Sequence, residues 1–142
     1  MKFSTKSRYA IMAVVDMAMH SNGNPVSLQQ IANRQNVTLS YLEQIFAKLK
    51  KEGIVSAVKG PGGGYILDSP LSDIKLSAVI LAVDGSFKMT RCSKTNKCML
   101  DGSRCSTHTL WSGLGKTILE YFSAISLFDM VAKNENEGKI VS

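Results

Sequence analysis

No stretch of the 142 residues approaches the roughly eighteen consecutive apolar side chains that a membrane-spanning helix requires, so a soluble chain is expected. Arg8 and Asp16 bound an apolar run of seven residues near the start, and no small-residue cleavage site follows. A signal peptide is therefore not read there, and the expected location is cytoplasmic. Acidic residues are scarce: 11 Asp and Glu stand against 17 Lys and Arg, a formal charge of +6. Cysteine is scarcer still. Three thiols cannot all pair within one chain, and a reducing cytosol disfavours disulfides, which leaves metal ligation or thiol chemistry. The phosphate-binding pattern GxxxxGK[ST] is absent, and the glycine-rich stretch Lys59–Gly64 leads into a strand-like run, so a nucleotide site is set aside.

The positive charge is concentrated. Residues 1–70 carry eight Lys and Arg against four Asp and Glu, and residues 88–104 carry five against one. A polyanionic partner fits such a distribution.

Residues 5–20 form an expected core helix, apolar on most sides, ended by Asn22-Gly23-Asn24-Pro25. Its terminal His20 reads as a helix cap or surface residue rather than a ligand. Ser27-Leu28-Gln29-Gln30 spells a capping box that opens a short helix to about Gln35. Ser40-Tyr41-Leu42-Glu43 repeats the device for a third helix, with Glu43 expected to reach back to the Ser40 amide. Leu42, Ile45, Phe46 and Leu49 make its buried stripe, and Gly53 its stop. The outer face of this helix presents Ser40, Tyr41, Gln44, Lys48 and Lys51. Two short helices in tandem, the second amphipathic and basic outside, make a helix-turn-helix.

A hairpin follows: a strand over 54–58, a turn over Lys59–Gly64 and a returning strand over 65–67. A hairpin directly after a recognition helix is a wing. Residues 74–76 are expected to add a third strand, before a helix capped by Ser77 and running to about Val83. The expected architecture is mainly α with a small β wing, a winged helix-turn-helix domain over 1–84 joined to a long C-terminal helix. Duplex DNA is the expected partner. Tyr41, Gln44 and Lys48 are the candidate base-edge or groove contacts. Lys6, Arg8, Lys51 and Lys59 are candidates for phosphates or the wing, Gly60, Gly62 and Gly63 form a narrow tip, and Glu43 could also accept from a cytosine amine.

Trp111, Leu114, Ile118, Tyr121, Ile125 and Phe128 step by 3, 4, 3, 4 and 3, an a/d repeat on an expected helix over 109–131. Residues 1–84 have apolar side chains enough for their own core, so this seam is assigned to a homodimer, with Trp111 and Tyr121 as packing residues. Ser126-Leu127-Phe128-Asp129 could instead start a fresh helix and end the seam early. Residues 132–142 read as a disordered polar tail.

Between these parts, residues 85–108 hold Cys92-x5-Cys98-x6-Cys105-x2-His108. Three thiolates and an imidazole suit a tetrahedral zinc, or an iron-sulfur cluster in which histidine replaces one cysteine. The wide first gaps fit a larger inorganic core better. A Cys105–His108 thiol enzyme lacks a third orienting group, and a cluster carrier would leave the DNA-like half superfluous. Neither an enzyme nor a small-molecule substrate is expected.

The order of SYLEQIFAKLKKEGIVSAVKGPGGGYIL, then AVDG, then three cysteines and HTLW, resembles the IscR-like family of bacterial winged-helix iron-sulfur regulators over residues 2–132. The resemblance implies a homodimeric transcription regulator, a repressor among its roles, that carries a [2Fe-2S] cluster on Cys92, Cys98, Cys105 and His108 and adjusts cluster-assembly genes to cluster supply. Two departures stand out. The Met99–Arg104 gap is one residue longer than is common in that family, and relatives that sense nitric oxide hold a [4Fe-4S] cluster on a similar trio. Lys59 replaces a frequent arginine at the wing base.

Overall fold

The computed structural model describes residues 3–87 and 99–141, with side chains up to residue 137. Helix α1 (Thr5–His20) starts at Ser4, whose hydroxyl accepts from the Ser7 amide. It is the central pillar, burying Ala10, Ala13, Val14 and Met17. Helix α2 (Leu28–Gln35) opens with the expected reciprocal box: Gln30 N–H donates to Ser27 Oγ at 3.2 Å, and Ser27 N–H to Gln30 Oε1 at 3.0 Å. Asn36, at φ 54°, closes α2 in the left-handed region and turns the chain into α3 (Leu39–Lys51). Asn pays little for this conformation.

The start of α3 differs from expectation. Thr38, not Ser40, is the N-cap, and its Oγ1 accepts from the Tyr41 amide at 3.3 Å. Ser40 lies in the first turn, and Glu43 is exposed outside any capping role. The reversal at Asn36 brings the chain into helical geometry two residues early, so the nearer hydroxyl takes the amide. The stop is as expected. Gly53 (φ 76°) donates to Lys50 O at 3.1 Å and Ile54 to Leu49 O at 3.0 Å, the paired bonds of a Schellman end.

Strands β1 (Val55–Val58) and β2 (Gly64–Leu67) pair antiparallel, Val55 opposite Leu67 and Val58 opposite Gly64. The hairpin is stitched to the domain through Val26, which exchanges backbone bonds of 3.0 and 2.8 Å with Tyr65. Gly64 permits this approach, since a Cβ there would lie 2.4 Å from the Val26 carbonyl oxygen. Phe46 packs on Tyr65 with ring centroids 5.0 Å apart, joining α3 to the wing.

The expected third strand is replaced by a 3-10 turn (Leu71–Asp73) and a single bridge from Lys75 to Ser126. Helix α4 (Leu76–Asp84) begins after Lys75, and Ser77, expected as its cap, is a buried residue within it. Tertiary pairing holds this N-terminus: Leu76 N–H donates to Ile125 O, and Leu127 N–H to Ile74 O, both at 2.9 Å.

The C-terminal arm is two helices, α5 (His108–Ser123) and α6 (Leu127–Val141). Ser126 and Asp129 form a box between them, Ser126 N–H to Asp129 Oδ2 at 2.9 Å and Asp129 N–H to Ser126 Oγ at 3.1 Å. Hence the continuous helix over 109–131 gives way to the alternative that ends the seam at Ser126. Residues 132–141 continue α6 where a tail without structure was expected. Leu127 is fully buried in the same core cluster as α1, α3 and α4. Residues 1–84 are thus not the whole of that core.

Candidate functional site

The geometry of the exposed face of α3 follows from how α2 and α3 are held. Asp16, in the middle of the core helix α1, has no exposed side-chain surface and reaches across to α2. Arg34 Nε lies 3.1 and 3.0 Å from its two oxygens, Arg34 Nη2 2.5 Å from Oδ1, and Gln35 Nε2 2.8 Å from Oδ2. Burial pushes the Asp16 carboxyl up, but the bonds from Arg34 and Gln35 outweigh it and hold the group below its ordinary value. The bond to Asp16 raises Arg34 in turn. His20 Nδ1 is 2.9 Å from the Asp16 carbonyl oxygen, at the end of α1. The clamp fixes the angle of the helix preceding the turn. An acid inside an otherwise apolar core helix was its sequence signal, because such a charge demands a partner.

With α3 seated by Leu42, Ile45, Phe46 and Leu49, each at most 1% exposed, its other side carries Ser40, Glu43, Gln44, Lys48 and Lys51, all exposed. Tyr41 is half-buried instead, its ring edge-on to Tyr9 at 5.6 Å. Lys6 and Arg8 are exposed on the first turns of α1. Lys48 is not wholly free for a ligand: its Nζ donates to the Val83 carbonyl at 3.2 Å. At the wing, Lys59, Gly60 and Gly62 are exposed, with Gly60 and Gly62 at φ 93° and 73°. Gly63 is half-buried, and its amide donates to Gly60 O at 2.9 Å, closing the tip.

Of the four candidate ligands, Cys92 and Cys98 lie outside the described residues. Cys105 and His108 are brought together at the start of α5, where His108 N–H donates to Cys105 O at 3.1 Å. His108 is 8% exposed, the one buried residue of α5, and its Nε2 lies 3.3 Å from Ser112 Oγ. Cys105 is half-buried, its Sγ 3.7 Å from Thr107 Oγ1. Between Met99 and Ser103 the backbone folds back on itself, with Met99 N–H to Ser103 O at 2.9 Å and Gly102 N–H to Met99 O at 3.0 Å. Asp101 accepts from the Ser103 hydroxyl and amide, which keeps its carboxyl below the usual range. A half-buried thiol and a buried imidazole one turn apart, the ring oriented by a hydroxyl, suit soft metal ligation.

The proposed seam divides. Trp111, Leu114 and Ile118 are half-buried and Tyr121 is 64% exposed, whereas Ile125 packs on the core cluster beyond the end of α5. Phe128, on α6, is 57% exposed. Leu110 (61% exposed) and Leu119 were not singled out from the repeat, yet they add apolar surface to α5. Among the described residues no helix is long and apolar enough to cross a membrane.

The family model described as Rrf2, iron-dependent transcriptional regulator, matches residues 3–133. The HTH-type transcriptional regulator IscR of Vibrio parahaemolyticus serotype O3:K6 is 46% identical over 135 residues, covering 95% of this chain and 80% of that protein. Its namesake from Photorhabdus laumondii is 47% identical over 135 residues, covering 95% and 82%. The solved structure of T. potens IscR matches with a TM-score of 0.79 and 36% identity over 96% of this chain and 90% of that one. CymR, the global cysteine regulator of B. subtilis, matches with a TM-score of 0.77 and 26% identity over 94% and 98%. The chain belongs to the Rrf2 family, and is a DNA-binding transcriptional regulator of the helix-turn-helix, IscR type and not an enzyme.

Proposed function

We propose that the chain acts as a homodimer that reads duplex DNA through α3 and the wing and reports iron-sulfur status through a [2Fe-2S] cluster on Cys92, Cys98, Cys105 and His108. The observation that carries the cluster reading is the placement of the half-buried Cys105 one turn before a buried His108, whose ring meets the Ser112 hydroxyl, at the head of α5. A protein imidazole sequestered at the edge of a cysteine-bearing segment is costly to arrange for packing alone. Ser112 would fix the ring and its tautomer, and Lys or Arg at positions 88, 91, 94, 97 and 104 would offset the net negative charge of thiolates around the core. When bound, the cluster supplies a labile, redox-active group whose presence tracks iron and sulfide supply.

On the DNA side, Ser40, Gln44 and Glu43 occupy the exposed first turns of α3, the part of a recognition helix that meets base edges. Tyr41 serves mainly as the packing contact that seats this turn on Tyr9. Arg8, Lys6, Lys51 and Lys59 contact phosphates, and the tip at Gly60, Gly62 and Gly63 lets the wing backbone approach the duplex closely. Trp111, Leu114, Ile118 and Tyr121, joined by Phe128, form the face that meets a second copy, which sets two α3 helices on a twofold site. Ile125 supports that face from the core. The regulated genes are those of cluster assembly.

Anaerobic purification followed by visible spectroscopy and analysis of iron, sulfide and zinc tests the cofactor. Charge-transfer absorption with two irons per chain is expected. A colourless zinc protein, or four irons per chain, overturns the cluster type. Titration of salt against binding to the chain's own upstream DNA tests the partner. Lys51→Ala is expected to weaken binding to all sequences alike and to lower the salt slope by about one. A loss confined to one base position would remove Lys51 from the phosphate contacts.

A further inference from the structure

The exposed side of α3 has a definite centre line. Leu42, Ile45, Phe46 and Leu49 turn one side of the helix into the core, and at about 3.6 residues per turn the line opposite them runs through Ser40, Ala47 and Lys51, with Glu43 and Gln44 to either side. All five are exposed. Past Leu39, every exposed residue of α3 carries a charged or hydrogen-bonding side chain except Ala47. Its methyl is not among the apolar groups packed on the core. Helix propensity does not single it out, because Gln, Glu, Lys and Arg serve nearly as well at a solvent position.

Ala47 lies two turns beyond Ser40, about 10 Å along the axis, or roughly three base steps of a duplex. A helix with its side chains nearly fills the width of a major groove, so the length of the side chain on the centre line sets how deeply the backbone can settle. Ala47 keeps that line short, where Gln44 before it and Lys51 after it are long. What it offers the groove floor is a methyl with neither donor nor acceptor. Among the groups that base pairs show in the major groove, the C5 methyl of thymine is the apolar one. An amine or carbonyl facing Ala47 would lose its water and gain no partner.

We propose that Ala47 is a specificity-determining residue: its methyl meets the C5 methyl of a thymine in the major groove, and its small size lets α3 sit deep enough for Ser40, Glu43 and Gln44 to reach base edges. The proposal rests on the DNA-binding reading above and adds one read base to it. Lys51, on the same line, faces phosphates, so base reading ends at Ala47.

The test uses the full chain, purified without oxygen, and duplexes that it selects from a pool with a randomised core. Each thymine of the enriched site is replaced in turn by uracil, which removes the C5 methyl and nothing else. At one thymine facing each recognition helix the exchange should weaken wild-type binding about fourfold, the worth of one buried methyl. A47G should bind the thymine and uracil duplexes alike, with the salt slope of the wild type because no charge has changed. A47Q, too long for the contact, should bind both more weakly and equally. Each ratio is taken within one variant, so a loss of folded protein cancels, and thermal unfolding checks the fold. An enriched site without thymine, uracil that costs the wild type nothing at every position, or retention of every thymine preference in A47G or A47Q overturns the contact. A lowered salt slope in A47G would trace the effect to phosphates and overturn it as well. A wild type that binds but enriches no site overturns this proposal alone, whereas one that binds no duplex fails the DNA-binding reading itself.

Discussion

Helices α3 and α5 carry the same kind of apolar pattern and meet opposite fates. In α3, Leu42, Ile45, Phe46 and Leu49 are at most 1% exposed, sealed by α1, α4 and the wing. In α5, only His108 is buried; Trp111, Leu114 and Ile118 are half-covered, and Leu110 and Tyr121 stand 61% and 64% exposed. A hydrophobic stripe announces a face that needs covering. It does not say whether its own chain supplies the cover. The back of α3 is filled from within its own chain, and α5, which follows the cysteines, keeps apolar surface exposed.

The contrast can be broken most forcefully from the α3 side. Phe46→Ala removes a fully buried ring between α3 and Tyr65 and should cost about 3–5 kcal/mol in denaturant unfolding. Asp16→Asn should cost about 2–3 kcal/mol, less than a wholly buried pair because Arg34 keeps partial access to water. Its pH signature has a definite sign. The folded-state carboxyl is depressed, so its contribution is present above the ordinary aspartate value, near 4, and is lost as pH falls through the folded value. Acid unfolding of the wild type should therefore converge on that of Asp16→Asn, and parallel curves down to low pH would remove the clamp from the account.

Ser126→Ala tests the joint between the two helices of the arm. Loss of that cap should cost about 1 kcal/mol, seen as a lowered denaturant midpoint with an unchanged slope. The smallest effect on the folded protomer is expected on α5 itself. Tyr121→Ser should change the stability of dilute protein by less than about 0.5 kcal/mol, since the ring is mostly in water. The same substitution should weaken self-association measured by sedimentation. A large loss of stability in the dilute variant, or unaltered association, would show that α5 and α3 do not differ in the way described.

Much of the helix-turn-helix was legible because its signals are local. Ser27 and Gln30 are three residues apart and bond to each other with no help from the rest of the chain. Gly53 stops α3 for a backbone reason. Where two local signals compete, the sequence misleads. Ser40 and Glu43 spell a capping box, but Thr38 wins because the left-handed Asn36 starts the helix early. Ser77 lost its capping role to a pairing with residues some fifty positions away, Ile74 and Leu76 bonding to Leu127 and Ile125. The candidate DNA residues were separable only in part: α3 does expose Ser40, Gln44 and Lys51, but the engagement of Tyr41 by Tyr9 and of Lys48 by Val83 depends on neighbours that no spacing reveals.

By itself, then, the order of residues determined what short-range chemistry determines: the box that opens α2, the glycine that stops α3, which face of each helix is apolar, the glycine tip of the wing, and the crowding of thiols and imidazole up to the start of α5. The tertiary structure alone decided which apolar faces were filled. Leu127 and Ile125 were drawn back into the core while Tyr121 stayed outside, and buried Asp16 was matched to Arg34 on another helix. The physical reason is that hydrogen bonds within a turn depend on residues a few positions apart, whereas burial and charge pairing depend on which surfaces the whole chain brings into contact.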